Sequence, residues 1–144
     1  MLDAQGPESV PQPDGGATSF VYMDQDWFTR FYSGNPTSSA ELANLDTDGD
    51  GWTGWQEYMA GTDPNDPASV FEITGLRMAG GNNQLTWRGG TNGASGSYAV
   101  EFTTNFITGV WLPVAYPSRT QGLNTYTLQP SGGLQGYYRV RAGN

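Results

Sequence analysis

Beyond residue 69 the hydrophobic and polar residues alternate with a period of two, in short runs separated by Gly, Asn, Ser or Pro. Such alternation is typical of β-strands with one buried face. It predicts six strands, at residues 70–78, 83–88, 97–103, 110–116, 123–129 and 136–142. Because no helical pattern interrupts them, these strands favour an antiparallel β-sandwich.

The alternation also assigns a face to each side chain, since successive residues of a strand point to opposite sides of the sheet. The residues predicted to face the core are Leu85, Trp87, Tyr98, Val100, Phe102, Tyr126, Leu128, Tyr138 and Val140. The residues predicted to face water are Thr86, Arg88, Glu101, Thr125, Thr127, Arg139 and Arg141. The expected core is rich in aromatic rings, which compensate for a modest number of aliphatic residues.

Residues 24–61 follow a different pattern, in which apolar residues recur three and four positions apart. This spacing predicts short amphipathic helices. Asp24 is a candidate N-cap for the first helix, and Ser38-x-x-Glu41 is a candidate capping box for the second. Gly61 ends the third helix. The predicted apolar faces consist of Trp27, Phe28, Phe31, Tyr32, Leu42, Leu45, Trp55, Tyr58 and Met59.

An acidic stretch, residues 46–57, separates the second predicted helix from the third. It places carboxylates at its positions one, three, five and twelve and a glycine at position six: Asp46, Asp48, Asp50, Glu57 and Gly51. A calcium ion takes about six to eight oxygen ligands, and a loop with this spacing supplies them by wrapping around the ion. The backbone carbonyl of Trp52 and a water beside Gly54 would complete the set. The stretch therefore predicts a Ca2+ site.

A plain acidic turn is the competing interpretation, because Asp and Gly favour turns without any metal. Position eight of the stretch, usually a β-branched aliphatic residue that pairs two calcium loops, is Thr53, so we expect no paired EF-hand lobe. Asp63 and Asp66 follow in a Pro-rich turn. They are either further calcium ligands or caps of that turn.

Composition narrows the classes of function. The chain of 144 residues has a net charge of −8, with no Lys, and this balance disfavours a nucleic-acid partner. It contains no Cys and no His, which excludes thiol and imidazole catalysis, disulfides and zinc fingers. No apolar run is long enough to predict a membrane span.

Catalysis and sugar binding are two further classes to weigh. A glycosidase needs two carboxylates facing one cleft, and within the sandwich only Glu72 and Glu101 could form the pair. Both occupy positions predicted to face water on separate strands, so we expect no enzyme. Trp52, Trp55, Trp111 and Tyr116 could stack on sugar rings, although core packing accounts for the same residues.

Two resemblances cover most of the chain. Residues 45–69, LDTDGDGWTGWQEYMAGTDPNDPAS, resemble the thrombospondin type 3 and EF-hand-like calcium repeats of large secreted bacterial proteins. This resemblance implies that the aspartates and Glu57 bind calcium, and that the Gly-Thr-Asp-Pro turn containing Asp63 leads to the next module. Residues 71–141 are similar to the β-sandwich modules that end such proteins and, more loosely, to fibronectin type III. The segments that carry this second likeness are Leu85-Thr86-Trp87, Tyr98-Ala99-Val100-Glu101, Trp111, Thr125-Tyr126-Thr127 and Tyr137-Tyr138-Arg139-Val140-Arg141.

The sandwich departs from the fibronectin pattern in two ways. Gly136 stands where that pattern has its corner tyrosine, and only three residues follow Arg141, so we expect the sandwich to lack its final strand. A missing strand leaves a sheet edge unpaired. The expected fold is mainly β: a small helix, calcium loop and helix unit, followed by an antiparallel immunoglobulin- or fibronectin-III-like β-sandwich that lacks its final strand.

These observations lead to one expected organisation and function. An extended arm or linker spans residues 1–22, a helical EF-hand-like unit residues 23–69, and the sandwich residues 70–144. We expect a non-catalytic, calcium-stabilised structural or adhesive module, extracellular or at the cell surface, with its signal peptide not included. The arm, including residues 18–22, could donate a strand to the open edge and build a homo-oligomer or filament. The alternative is a carbohydrate-binding module whose glycan or cell-surface partner contacts Trp111 and Tyr116.

Overall fold

The computed structural model describes residues 9–10, 21–34, 39–79, 82–105, 107, 109–128 and 135–142. The helices are α1 (Gln25–Tyr32), α2 (Ser39–Ala43) and α3 (Gly54–Ala60). The strands are β1 (Ser9–Val10), β2 (Val21–Tyr22), β3 (Glu72–Ala79), β4 (Asn82–Gly89), β5 (Tyr98–Thr103), β6 (Leu112–Ala115), β7 (Gly122–Leu128) and β8 (Tyr137–Ala142). The prediction of a mainly β fold with six antiparallel strands is confirmed. Among the described helices, none combines the length and apolar character needed to cross a membrane.

The chain divides into two compact units. The helical unit comprises Met1–Val70 together with Asn92–Ala94, and the sheet unit comprises Phe71–Thr91 together with Ser95–Asn144.

The sheet unit contains two three-stranded antiparallel sheets, with strand orders β3-β4-β7 and β6-β5-β8. Both sheets contribute to one core, whose buried members are Leu85, Trp87, Tyr98, Val100 and Leu128. Trp87 and Tyr98 meet edge to face with ring centroids 5.6 Å apart. The Tyr98 hydroxyl accepts a hydrogen bond from the Gly90 amide (2.7 Å) and donates one to the Gly90 carbonyl (3.1 Å). Two sheets that share one core are compatible with a β-sandwich.

One predicted outward residue, Glu101, is in fact buried, so the prediction that it faces water is wrong. It lies on the face away from the core but is only 5% exposed. Arg139 on the neighbouring strand donates from Nε to its carboxylate at 2.6 Å, and Arg141 lies 3.5 Å from the other oxygen. A period of two assigns a residue to a face of the sheet, but it does not show whether long neighbouring side chains cover that face.

In the helical unit, helix α1 begins at the predicted N-cap. Asp24 accepts hydrogen bonds from the amides of Asp26 (2.7 Å) and Trp27 (3.4 Å). The predicted Ser38 cap lies outside the described residues. Helix α3 begins with a capping box that the sequence analysis missed, in which the side chains of Thr53 and Gln56 and their backbone amides bond reciprocally. The signal was present, because Thr-x-x-Gln is one form of that motif.

Four of the aromatic residues predicted to be core residues, Trp27, Tyr32, Trp55 and Tyr58, are buried in the core of the helical unit. Phe28 and Phe31 pack against it and are partly buried, whereas Leu45 is 48% exposed, so its predicted place on an apolar face is wrong. The buried members of this core are Met23, Trp27, Tyr32, Leu42, Ala43, Trp55 and Tyr58. Trp27 is central to this cluster, with its ring centroid 5.3 Å from that of Tyr58 and 5.7 Å from that of Tyr32. Helix α1 is thereby packed against α3 and reaches the acidic stretch.

A three-residue segment, Asn92–Ala94, completes the C-terminal end of α3. The Ala94 amide donates to the Tyr58 carbonyl (2.8 Å), and the Asn92 amide donates to the Gly61 carbonyl (3.1 Å). A Cβ at Gly93 would collide with the Tyr58 carbonyl oxygen, so only glycine fits between them. The two hydrogen bonds satisfy carbonyls that a helix end leaves without internal partners.

Candidate metal centre

The acidic stretch forms a closed loop between α2 and α3. Its ends meet where the Gly54 amide donates to the Leu45 carbonyl at 3.0 Å. Inside the loop, both carboxylate oxygens of Asp46 accept backbone hydrogen bonds, from Gly49 (2.7 Å) and Gly51 (2.9 Å). Gly49 and Gly51 have φ angles of 83° and 97°, which favour glycine. The chain therefore curls around the first carboxylate.

The curl brings three carboxylates together. One oxygen from each of Asp46, Asp48 and Asp50 lies within 4.8 Å of the others. Asp48 accepts a hydrogen bond from the Asp50 amide (3.2 Å), and Asp50 accepts one from the Trp52 amide (2.7 Å). The second oxygens of Asp48 and Asp50 are buried without a hydrogen-bond partner among the described residues. Two carboxylate oxygens are thus directed away from water and from the backbone.

Glu57, on α3, is the most unusual group of the site. It is 1% exposed, and neither of its carboxylate oxygens has a hydrogen-bond partner in the described part of the chain. Burial raises the pKa of its carboxyl from 4.5 to about 8, the charges of Asp48 and Asp50 add to the rise, and the nearby Thr62 side chain partly opposes it. Glu57 does not belong to the group of three carboxylates within 4.8 Å, but it is close enough for the charges of Asp48 and Asp50 to act on it. An unpaired buried carboxylate is costly unless a cation or a proton compensates it.

The two acids of the turn after α3 behave differently. Asp66 accepts from the Ala68 amide (3.0 Å) and caps a turn. Asp63 also caps a turn, through the Asn65 amide (3.0 Å), but its charge contributes to the raised pKa of Glu57. Asp63 therefore lies near the site, although it is outside the group of three carboxylates.

Tyr32 of α1 joins the site, and the sequence analysis had assigned it only to the core. Its hydroxyl lies 3.2 Å from the Thr47 hydroxyl inside the acidic loop. Burial raises the pKa of Tyr32, and the charges of Glu57 and Asp48 raise it further. No local spacing signal links Tyr32 to the loop, because the contact depends on how α1 packs against α3.

Of the other predicted site residues, Trp52 lies in the acidic loop, whereas Trp111 and Tyr116 lie in the sheet unit. The Trp52 amide bonds to Asp50, which turns the backbone at the seventh position of the loop. Trp111 and Tyr116 flank β6 in the sheet unit. The Trp111 ring lies under the Arg139 guanidinium, whose central carbon is 4.3 Å from the ring centroid, and Tyr116 is 57% exposed.

The chemistry of the donor set suits a hard divalent cation. Asp46, Asp48, Asp50 and Glu57 offer only carboxylate oxygens, and the chain has no His or Cys. Oxygen ligands favour calcium, magnesium and manganese over zinc or copper. Within the described residues, none of these four acids forms an ion pair with Arg. A cation would neutralise charges that the protein itself leaves uncompensated.

Comparison with known proteins adds no relative to this description. No protein-family model, no curated protein and no solved structure matches the chain.

Proposed function

We propose that the protein is a non-catalytic structural module whose helical unit is EF-hand-like and is stabilised by a bound Ca2+ ion. Asp46, Asp48, Asp50 and Glu57 supply carboxylates, and Trp52 supplies its backbone carbonyl. The observation that carries the proposal is Glu57, a carboxylate that is 1% exposed and has two unpaired oxygens. The position of the ion supports a structural role, because the ion would join the loop after α2 to the first turns of α3.

Calcium is preferred over magnesium because of the number of carboxylates. Magnesium demands octahedral geometry and usually keeps several waters, whereas calcium accepts many flexible carboxylate ligands. The resemblance to thrombospondin type 3 and EF-hand-like repeats supports the same ion. An extracellular or cell-surface location belongs to this proposal, because calcium is abundant outside cells and weak sites are filled there.

The carboxylates of the sheet unit support a non-catalytic role. Glu72 of β3 lies 3.3 Å from Arg88, and Glu101 of β5 is held by two arginines. The two acids belong to different sheets and each has a basic partner. Two carboxylates that are each paired with arginine on different sheets are a poor match to a glycosidase pair, which faces one cleft.

Isothermal titration calorimetry tests the cation site directly. We expect Ca2+ to bind with one-to-one stoichiometry and Mg2+ to bind more weakly. Glu57→Gln and Asp48→Asn remove one negative charge each from the site and should abolish calcium heat. Asp66→Asn removes the same charge from the same unit at a turn cap, so it is the matched control and should bind normally. Equal calcium affinity in Glu57→Gln and Asp66→Asn would refute the assignment.

Assembly by strand donation stays a prediction. In the described residues, β6 has β5 as its only neighbour and exposes Leu112 (61%) and Val114 (47%). Val21–Tyr22, within the proposed donor segment, pairs with Ser9–Val10, and residues 18–20 lie outside the described part. Light scattering before and after deletion of residues 1–22 tests the idea. If assembly is unchanged after the deletion, the arm does not mediate it.

A further inference from the structure

A second cluster of charged and aromatic side chains lies on the outer face of the sheet β6-β5-β8. Glu101 of β5 pairs directly with Arg139 of β8, so both side chains point to the same side. Tyr137 and Arg141 lie two positions before and after Arg139 and share that side. Val140, which alternates with them, packs against the core. We call the surface formed by Tyr137, Arg139, Arg141, Glu101 and Trp111 the outer face.

Glu101 and Trp111 hold the arginines of the outer face in place. The carboxylate of Glu101 receives the Arg139 Nε at 2.6 Å and lies 3.5 Å from the Arg141 Nη2. The ring of Trp111 lies 4.3 Å from the central carbon of the Arg139 guanidinium. A guanidinium has several N–H donors in a fixed plane, and these contacts engage only part of each set. The arginines are therefore ordered but retain donors for a ligand.

The outer face carries a surplus of positive charge on an acidic chain. Its two guanidinium groups face one carboxylate, whereas the whole chain has a net charge of −8. The arginine side chains are 44% and 45% exposed, so solvent and solutes reach them. Tyr137 on the same face is 49% exposed. On a chain of net negative charge, these two exposed guanidinium groups form a local site that attracts an anion.

We propose that the outer face binds an anionic saccharide. Arg141 and Arg139 pair with its carboxylate or sulfate groups, because a planar guanidinium presents parallel donors to such groups. The exposed ring of Tyr137 packs against a sugar ring, since aromatic side chains combine an apolar surface with a polar end. This inference concerns the sheet unit and does not depend on the cation site.

The test measures binding of the full chain, with calcium present, to three probes. These are an oligogalacturonate, which carries carboxylates, a sulfated dextran and neutral dextran. We expect binding to at least one anionic probe, weakening with added salt, and none to neutral dextran. Preference for oligogalacturonate or for sulfated dextran identifies the group that is recognised. Binding to neither, or equal binding to neutral dextran, would overturn the proposal.

Variants separate a specific site from general attraction. Arg141→Gln should weaken binding about tenfold or more, because it removes a charge-assisted pair. Arg88→Gln removes the same charge from β4 and should change affinity by less than about twofold. Arg141→Lys keeps the charge beside Glu101 but loses the planar fork, so it should retain the fold and still weaken binding. Equal losses in Arg141→Gln and Arg88→Gln, or wild-type affinity in both Arg141 variants, would also overturn the proposal.

Discussion

If the proposed Ca2+ ion is bound, its removal should loosen the helical unit around Glu57. Glu57 is 1% exposed with two unpaired oxygens, beside three clustered aspartates. These groups lie on the loop 46–53 and on the first turns of α3, so the ion is expected to act as a bridge between them. Chelation would remove that bridge. The three aspartate charges would then lie at short range, and Glu57, whose pKa is raised to about 8, would be protonated at neutral pH.

The expected size of the effect follows from mass action. An ion that binds only the folded form stabilises it by about 2.7 kcal/mol when its free concentration is a hundredfold above its Kd. For a unit of roughly 60–100 residues, each kcal/mol shifts the melting temperature by about 4–8 °C. Calcium should therefore raise the transition of the helical unit by about 11–22 °C.

Differential scanning calorimetry measures the shift, and hydrogen exchange locates it. The chain is melted in calcium and in chelator, and amide protection is compared over α2, the loop and α3. Glu57→Gln keeps the size of the side chain but removes one charge and the bidentate ligand, so its two melts should coincide. Asp66→Asn should shift like the wild-type protein. A calcium bridge is refuted if the ion leaves the transition unmoved, or if Glu57→Gln shifts as far as Asp66→Asn.

Three further substitutions test the packing. Gly93→Ala should destabilise the helical unit by about 1–3 kcal/mol in urea unfolding, because the new Cβ would collide with the Tyr58 carbonyl; a neutral effect would contradict the close approach. Tyr98→Phe should cost the sheet unit about 1–3 kcal/mol by leaving buried Gly90 groups unpaired. Burial also raises the pKa of the Tyr98 phenol above 10.0. The stabilisation of the sheet unit by the neutral phenol is therefore complete below pH 10.0 and is lost as pH rises through the raised pKa. If the Tyr98→Phe variant lost stability in alkali as steeply as the wild-type protein, Tyr98 would not be the source of that loss. Glu101→Gln should destabilise the sheet unit by about 1–2 kcal/mol, a value reduced because its arginine partners are almost half exposed; an unchanged denaturation midpoint would show that the ion pairs contribute nothing.

Much of the fold was predictable because it rests on local periodicity. The six strands of the two sheets follow runs with a period of two, and the helices follow spacings of three and four. Asp24 and Gly61 were recognisable as helix boundaries, since capping and a left-handed terminal glycine depend on neighbouring residues alone. The Thr53–Gln56 capping box was equally local and was overlooked.

Residue order alone settles the local arrangement of charges and turns: the spacing of Asp46, Asp48 and Asp50, and the glycines that let the loop curl around them. Chain packing was needed to bury Glu57 without a partner and to bring Tyr32 to the loop. It was also needed to cover Glu101 with two arginines. Spacing along the chain constrains a few neighbouring residues, whereas burial depends on segments that are distant in sequence and meet only when the chain packs.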